Sequence, residues 1–475
     1  MTTVVWRFVS RPEAASPVLL DMNQATGGNK IMLNFGRGFD ISPPELKQSF
    51  TVNSLVDGGR LTSTAYENRV LKFSISLQGT LIEKTTNLAL LKRELGKYRN
   101  LIMYTPKSGT IPPVFFRTFK SDSYVMVNRT EKGAWHVDCE VIAEPFALGV
   151  RVKPLTNTVV SNDPLNASNG QRVNFPTIIG DVPTPAFASI VFDPALPIGE
   201  TFYLASRSHD NAEFVHHRQF KTADLWPGGN AFMWSGGNTS GGEAAATNFA
   251  GGNTSLQTRA TFNSWGEGTD LQSQRGRYRL LIRVHTSVAT STFGVQLQDQ
   301  RYLSSVKSKF LTWVADDFSR WDHLDMGVFT HPVSEVPMEL GYSGEVPTFQ
   351  GMNFTLDASR ISGTGNFEFD YVAFLPADEH MLILSPQQDI YSLTIDGPNG
   401  MIYSMQGVLT DPFNTSDPFP LQVGEDGMMP WRGSIPDLVP GAPNTWYMLN
   451  TRGETGDVFT LNVYYWPKWL EVAAP

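Results

Sequence analysis

Two short stretches hold the residues best equipped for chemistry. In SHDNAEFVHH, residues 208–217, His209, Asp210, Glu213, His216 and His217 lie close enough for imidazoles and carboxylates to converge on a metal ion. In ADDFSRWDHLD, residues 315–325, Asp316, Asp317, Asp322, His323 and Asp325 offer acid and base groups beside Trp313 and Trp321. Glycoside hydrolysis needs two carboxylates about 5–10 Å apart across a cleft. Asp357 and Asp370 could contribute to a calcium site, although their spacing gives no positive support. The competing reading places all of these on solvated turns, and it is the stronger one, so no catalytic and no metal-binding residues are assigned. Five indoles, Trp226, Trp234, Trp265, Trp313 and Trp321, could instead form a stacking wall for the apolar faces of sugars. Aromatic residues also dominate cores and subunit contacts, and that reading competes for the same five.

The usual catalytic signatures are missing. The chain has no G-x-S-x-G elbow, no H-E-x-x-H helix, no phosphate loop, no dinucleotide fingerprint and no C-x-x-C pair. A non-enzyme that needs no cofactor is therefore expected. With a net charge of −9 no basic footprint argues for nucleic-acid binding, and the local cluster Lys92, Arg93, Lys97 and Arg99 reads as a solvated helix face rather than a basic patch. Cys139 is the only cysteine, so no disulfide forms within the chain, and in WHVDCEVIAEPF it shares an apolar strand face with Trp135, Val137 and Val141. No run approaches the roughly 18 apolar residues of a membrane span. The opening MTTVVWRFVS has no signal-peptide pattern, so a soluble protein made in the cytoplasm is expected.

The 475 residues read as mainly β. Residues 1–150 alternate as strands around one helix, which is a β-sandwich carrying a single helical element. Residues 151–184, rich in Pro, Asn, Gly and Ser, read as a linker. Residues 185–385 supply seven or more short strands of a jelly-roll sandwich, interrupted by a Gly-rich insertion at 226–268 whose glycines predict no regular element. Residues 386–475 form a C-terminal β segment. In it Gly397, Pro398, Asn399 and Gly400 suit a hairpin turn, and a last strand is apolar on both faces.

The helix is read over TTNLALLKRELGKYRN, residues 85–100, with Thr86 or Asn87 as cap and Gly96 as stop. Leu88, Leu91 and Leu95 form its core stripe. Leu90 is turned about 160° from Leu88 at the helical period and points elsewhere. Together with Arg93 and Tyr98 it marks a candidate face for a second copy.

Several stretches resemble the distal tail protein family of long, non-contractile-tailed bacteriophages, in the form found in phages of actinobacteria. The resemblance rests on residues 55–148, where LVDGGRLTSTAYENRVLKFSISLQGTL leads into NLALLKRELGK and closes on WHVDCEVIAEPFALG. GDVPTPAFASI, NFEFDYVAFLPADEHMLIL, LVPGAPNTWYMLN and NVYYWPKWL support it. It implies an N-terminal belt domain that forms a ring, as a homohexamer, continuing the tail tube. A galectin-like or carbohydrate-module-like sandwich would then carry the tail-tip proteins. The implied partners are the tail tube protein, the tail-tip hub and other minor tail proteins, with host-envelope glycans as a further class and no membrane insertion. The implied location is the tail tip of the virion. The alternative is a carbohydrate-binding β-sandwich protein with weak glycosidase activity.

Overall fold

The computed structural model describes residues 4–13, 15–24, 30–34, 39–52, 59–106, 111–121, 124–128, 133–166, 168–208, 216–236, 238–249, 255–263, 276–301, 304–315, 317, 319–331, 353–405 and 431–472. The protein is mainly β, with one α-helix among the described residues. Its contacts divide it into two compact units. One holds residues 1–152, 179–184 and 464–475, and the other holds 153–178 and 185–463.

The first unit is built on a large antiparallel sheet. Its strands run in the order Val18–Asp21, Val5–Val9, Arg99–Thr105, Val114–Phe119, Trp135–Ala143, Arg69–Leu77, Ile31–Asn34 and Asn23–Gln24. Period-two patterning sets which side faces the core. Leu71, Phe73, Ile75 and Leu77 stand opposite Val141, Cys139, Val137 and Trp135, and all eight are buried. Burial pushes the Cys139 thiol up to about 12, so it stays protonated and behaves as a small hydrophobe. Trp6 centres the cluster, with edge contacts to Phe39, Phe73 and Tyr104 at 5.2, 5.6 and 5.7 Å.

The helix runs from Leu81 to Leu95, so it begins four residues before the stretch read from sequence. The true cap is Thr80. Its hydroxyl accepts from the Glu83 N–H at 3.3 Å, while the Glu83 carboxylate accepts from the Thr80 N–H at 2.6 Å. This reciprocal pair satisfies two backbone donors that no helical carbonyl can reach. Thr86 and Asn87 lie inside the helix. Gly96 does end it, with its N–H bonded to the Lys92 carbonyl at 2.9 Å. Replacing Thr80 with Ala should lower the stability of this unit by about 1 kcal/mol in urea unfolding, with no change in m.

The second unit contains two sandwiches, one nested in the other. The outer one pairs two five-stranded sheets. The first sheet is Val152–Ser161, Val458–Tyr465, Phe187–Leu196, Ile390–Asp396 and Met401–Met405. The second is Arg172–Asn174, Thr445–Asn450, Phe202–Arg207, His380–Leu384 and Trp431–Gly433. Phe192, Phe202 and Phe459 pack edge to face between them at 5.2–5.9 Å. The turn at Gly397–Asn399 joins two neighbouring strands, with Gly400 left-handed at φ 67°.

The inner sandwich spans residues 217–376. One sheet is Ala231–Trp234, Ala244–Thr247, Phe367–Pro376, Gly276–Thr286 and Asp322–His331, with His217–Gln219 also paired to Phe367–Pro376. The other is Gln257–Asn263, Asn353–Ser362, Thr292–Arg301 and Ser304–Val314. The Gly-rich stretch therefore does contain regular elements, at Ala231–Trp234, Ala244–Thr247 and Gln257–Asn263. Each one pairs with a partner strand, which overrides the local glycine content. Segment 151–184 likewise contributes strands to both sheets of the outer sandwich.

Candidate functional site

The helix of the first unit carries two kinds of face. Leu91 and Leu95 are buried, and Leu88 packs beside them. Leu90, expected to point away, is half-buried and rests on the same cluster. The core-facing arc is thus wider than a stripe of three leucines, because residues 87, 88, 90, 91, 94 and 95 all turn inward. Glu94 is buried at the helix end, where it accepts from Arg93 at 3.2 Å and also pairs with Lys97. Arg93 keeps the rest of its side chain in solvent. The apolar groups left outside are Leu81, Ile82 and, beyond the helix, Tyr98; Ile82 and Tyr98 are each 79% exposed. Ile82 was missed because the helix start was read too late, and Thr80-x-x-Glu83 was the signal that could have found it.

Further apolar side chains lie exposed on the same unit. Val70 and Ile142 face each other across neighbouring strands, and Val18 and Leu19 lie on the strand at the sheet edge. A separate two-stranded ribbon, Leu46–Val52 with Gly59–Tyr66, pairs with no third strand among the described residues. Its base is tied by Lys47 to Glu67, by the Glu67 N–H to the Glu45 carbonyl at 2.9 Å, and by Tyr66 against Phe146 at 5.3 Å.

The carboxylates around residue 320 are held in structural contacts. Asp317 closes a turn on Ser319, and its carboxyl is lowered by those hydrogen bonds. Asp322 pairs with Arg320 at 2.8 Å and accepts from the Trp313 indole at 3.1 Å. Asp325 pairs with Arg279 and accepts from the Tyr203 hydroxyl at 3.0 Å. Asp316 lies outside the described residues, as do His209, Asp210, Glu213 and Trp265. Among the described residues no three His, Cys, Asp or Glu groups converge as a metal site.

The indoles do not form one exposed wall. Trp313 is buried on Phe293 at 5.5 Å, and Trp321 is buried with its ring 4.3 Å from the Arg283 guanidinium. Strand register turns Trp313 inward, whereas Trp321 lies just before the strand Asp322–His331 and is held over Arg283. Trp226, 50% exposed, and the half-buried Trp234, lying over Gly236, do reach the surface.

A buried polar network crosses the second unit. Arg283 and Asp370 form a fully buried ion pair. Arg283 also donates to the Gly453 carbonyl at 2.6 Å, and the Ser240 N–H donates to Asp370 at 2.8 Å. Gln171 donates to the Tyr371 hydroxyl, and that hydroxyl lies 2.8 Å from His323 Nε2. His323 Nδ1 lies 2.8 Å from the Asn450 carbonyl, so Nδ1 carries the proton and the ring is neutral. Burial, aided by Arg283, lowers His323 to about 3. Burial and nearby cationic charge likewise lower His216 well below its ordinary value and His217 to about 4.

These folded-state values lie below the ordinary 6.5, so the unfolded chain takes up protons first as pH falls. Their contribution to stability is complete above pH 6.5 and is lost toward pH 4 and below. For His323 the loss at pH 5 is about 2 kcal/mol. His323→Asn should remove about that much of the difference between unfolding free energies measured at pH 7.5 and pH 5.

No model of a known protein family matches the chain, and no curated protein sequence matches it. Solved structures do. The Dit protein of phage SPP1, described as a paradigm of the hub adsorption apparatus in phages that infect Gram-positive bacteria, is 9% identical with a TM-score of 0.29, over 98% of this chain and 99% of that one. A chain of the phage p2 baseplate in its activated conformation with Sr is 9% identical with a TM-score of 0.23, over 78% of this chain and 98% of that one. An exo-β-1,3-galactanase from Phanerochaete chrysosporium, solved with β-1,3-galactotriose, is 9% identical with a TM-score of 0.20, over 78% of this chain and 100% of that one. The chain is thus similar to phage hub and baseplate chains and, at a lower score, to a galactan-degrading enzyme.

Proposed function

We propose that this protein is a structural component of a phage tail tip, in which copies join through their first units into a ring that anchors other tail proteins. The observation that carries this reading is the ribbon Leu46–Val52 with Gly59–Tyr66, which is tied at its base and pairs with no third strand among the described residues. A lone two-stranded ribbon is marginal in water, and its edges invite another strand. Leu46, Lys47, Gln48 and Ser49 are all exposed on it. A neighbouring copy would cover such a ribbon, and a closed ring would leave no edge free. The exposed Ile82, Tyr98, Val18 and Leu19 support the same reading, as does the strand–helix–strand order of the belt-like segment. Tube protein, tip hub and minor tail proteins are the partners this role requires, and the virion is its location.

Light scattering on the purified chain, together with negative-stain images, tests the reading. The expected result is a closed ring of several copies. A monomer at concentrations up to about 100 μM, with no chain detected in virions, overturns it.

A further inference from the structure

The inner and outer sandwiches of the second unit meet along the strand Phe202–Arg207 and are joined differently at its two ends. At the Arg207 end the chain leaves the outer sandwich and later returns to it at His380. These two crossings are clasped together, because the Ser208 N–H and hydroxyl both donate to Glu379 Oε2, at 2.7 and 2.9 Å. About 17 Å away, at the Phe202 end, hydrogen bonds hold the sandwiches together. The His323 N–H donates to the Thr451 carbonyl at 2.7 Å, and its Nδ1 bonds the Asn450 carbonyl. The Gly453 N–H donates to the Trp321 carbonyl at 2.8 Å, and the Trp321 N–H donates to the Glu454 carboxylate at 2.9 Å. The first end has the form of a hinge and the second that of a latch. Between them the outer sandwich contributes Tyr203, Ala205, Tyr447 and Leu449 as the apolar part of the seam.

Both histidine-bearing stretches singled out in the sequence, SHDNAEFVHH and ADDFSRWDHLD, run into this seam. His217 and His323 lie against the Tyr371 ring at 6.4 and 5.6 Å, and His216 lies against Tyr447 at 5.6 Å. His323 is faced by Arg283 and Tyr371 from the inner sandwich and by Asn450 from the outer one, while Asp370 is taken up by Arg283. His216 and His217 face each other, with Arg172, Tyr447, Asp163 and the Gly170 carbonyl on the outer side and Tyr371 on the inner. Asp163 already accepts from the Ser240 hydroxyl at 2.7 Å. Arg172 and Arg283 therefore set positive charge beside all three imidazoles.

We infer that acid opens this seam. Protons taken up by His216, His217 and His323 release the latch, and the inner sandwich swings out about Ser208 and Glu379 with both sandwiches intact. This is more than a general loss of stability, because the loss is confined to one plane between two complete cores. The imidazoles are sealed in the closed form and reach water when the seam opens, so falling pH favours the open form. Between pH 6.5 and pH 5 each histidine shifts the balance about thirtyfold toward opening. Burial works in the opposite sense on Asp370 and Asp457, both raised to about 6, because they gain protons in the closed form. Each offsets about tenfold at pH 5. Asp322, also raised by burial, adds to that offset. The net shift toward opening between pH 7.5 and pH 5 is about a hundredfold.

Hydrogen exchange on the full chain, read by mass spectrometry at pH 7.5 and pH 5 and corrected for intrinsic rates, tests the inference. Peptides holding the Trp321, His323 and Gly453 amides, which donate across the seam, should lose about a hundredfold in protection. The core strands Thr292–Arg301 and Phe187–Leu196 should lose less than about tenfold. His323→Asn and His217→Gln should each cut the pH response of the latch by about thirtyfold. That response is a ratio within one variant, so a uniform loss of stability cancels from it. If a variant does not fold, the contrast between latch and cores in the parent decides alone. Equal loss of protection at latch and cores overturns the inference, since acid would then unfold the whole unit. A latch equally protected at both pH values overturns it too, as do two variants that respond to pH as the parent does. Assembly of copies is read separately, so failure here leaves the ring reading standing.

Discussion

Replacing Asp370 with Ala is expected to cost the second unit about 3–5 kcal/mol at pH 7.5, the scale for removing one partner of a buried ion pair. The reason is what the substitution leaves behind. Arg283 has no exposed side-chain surface, and its guanidinium lies between Asp370, the Gly453 carbonyl and the Trp321 ring. A guanidinium stays charged when its counter-ion is removed, so it would sit desolvated in the core. Burial raises the Asp370 carboxyl to about 6, so the pair is ionised at the chosen pH. Urea unfolding followed by tryptophan fluorescence should show the midpoint shift, because Trp321 stacks on Arg283. The double variant Arg283→Met with Asp370→Asn should recover much of the loss, since it removes both charges and nearly keeps the volume. Equal destabilisation in single and double variants would mean that packing, not charge, makes this site important.

Leu91→Asp is expected to unfold the first unit, with a loss of more than about 4 kcal/mol. Leu91 is wholly buried in the core cluster that also holds Leu95 and Phe73. Ile82→Asp, on the same helix but in solvent, should leave the melting temperature within about 1 °C while shifting the protein toward smaller assemblies in light scattering. Leu90→Asp, which would spare the fold if Leu90 pointed outward, should destabilise instead, because Leu90 touches the core cluster. Full ring formation by Ile82→Asp would remove the helix start from the contact between copies.

How much of this was legible in the sequence depended on the range of the interactions. The strand Arg69–Leu77 and its partner Trp135–Ala143 could be read directly, because alternation is a local property and one face is fully buried. The hairpin at Gly397–Gly400 was equally plain from its turn residues. The helix was found but its start was misplaced, since the apolar stripe at Leu88, Leu91 and Leu95 drew attention from the capping pair Thr80 and Glu83. The nesting of one sandwich in another could not be read, because strand pairing between Phe202–Arg207 and Thr445–Asn450 leaves no trace in either segment alone. The indoles misled for a related reason. A tryptophan in a strand reads the same whether its face is core or solvent, and the register of Ser304–Val314 put Trp313 inward and Phe310 outward.

Nesting also imposes a timetable on synthesis. The strand Phe202–Arg207, buried at all six positions, has both of its neighbours, His380–Leu384 and Thr445–Asn450, far downstream. The nearer one emerges about 170 residues later, which at ribosomal speed is a wait of roughly 10–30 s. During that wait the intervening module can complete itself, while FYLASR stays an unpaired, sticky ribbon. Slowing translation between residues 208 and 380 should therefore lower the soluble yield of the full chain far more than slowing it after residue 465.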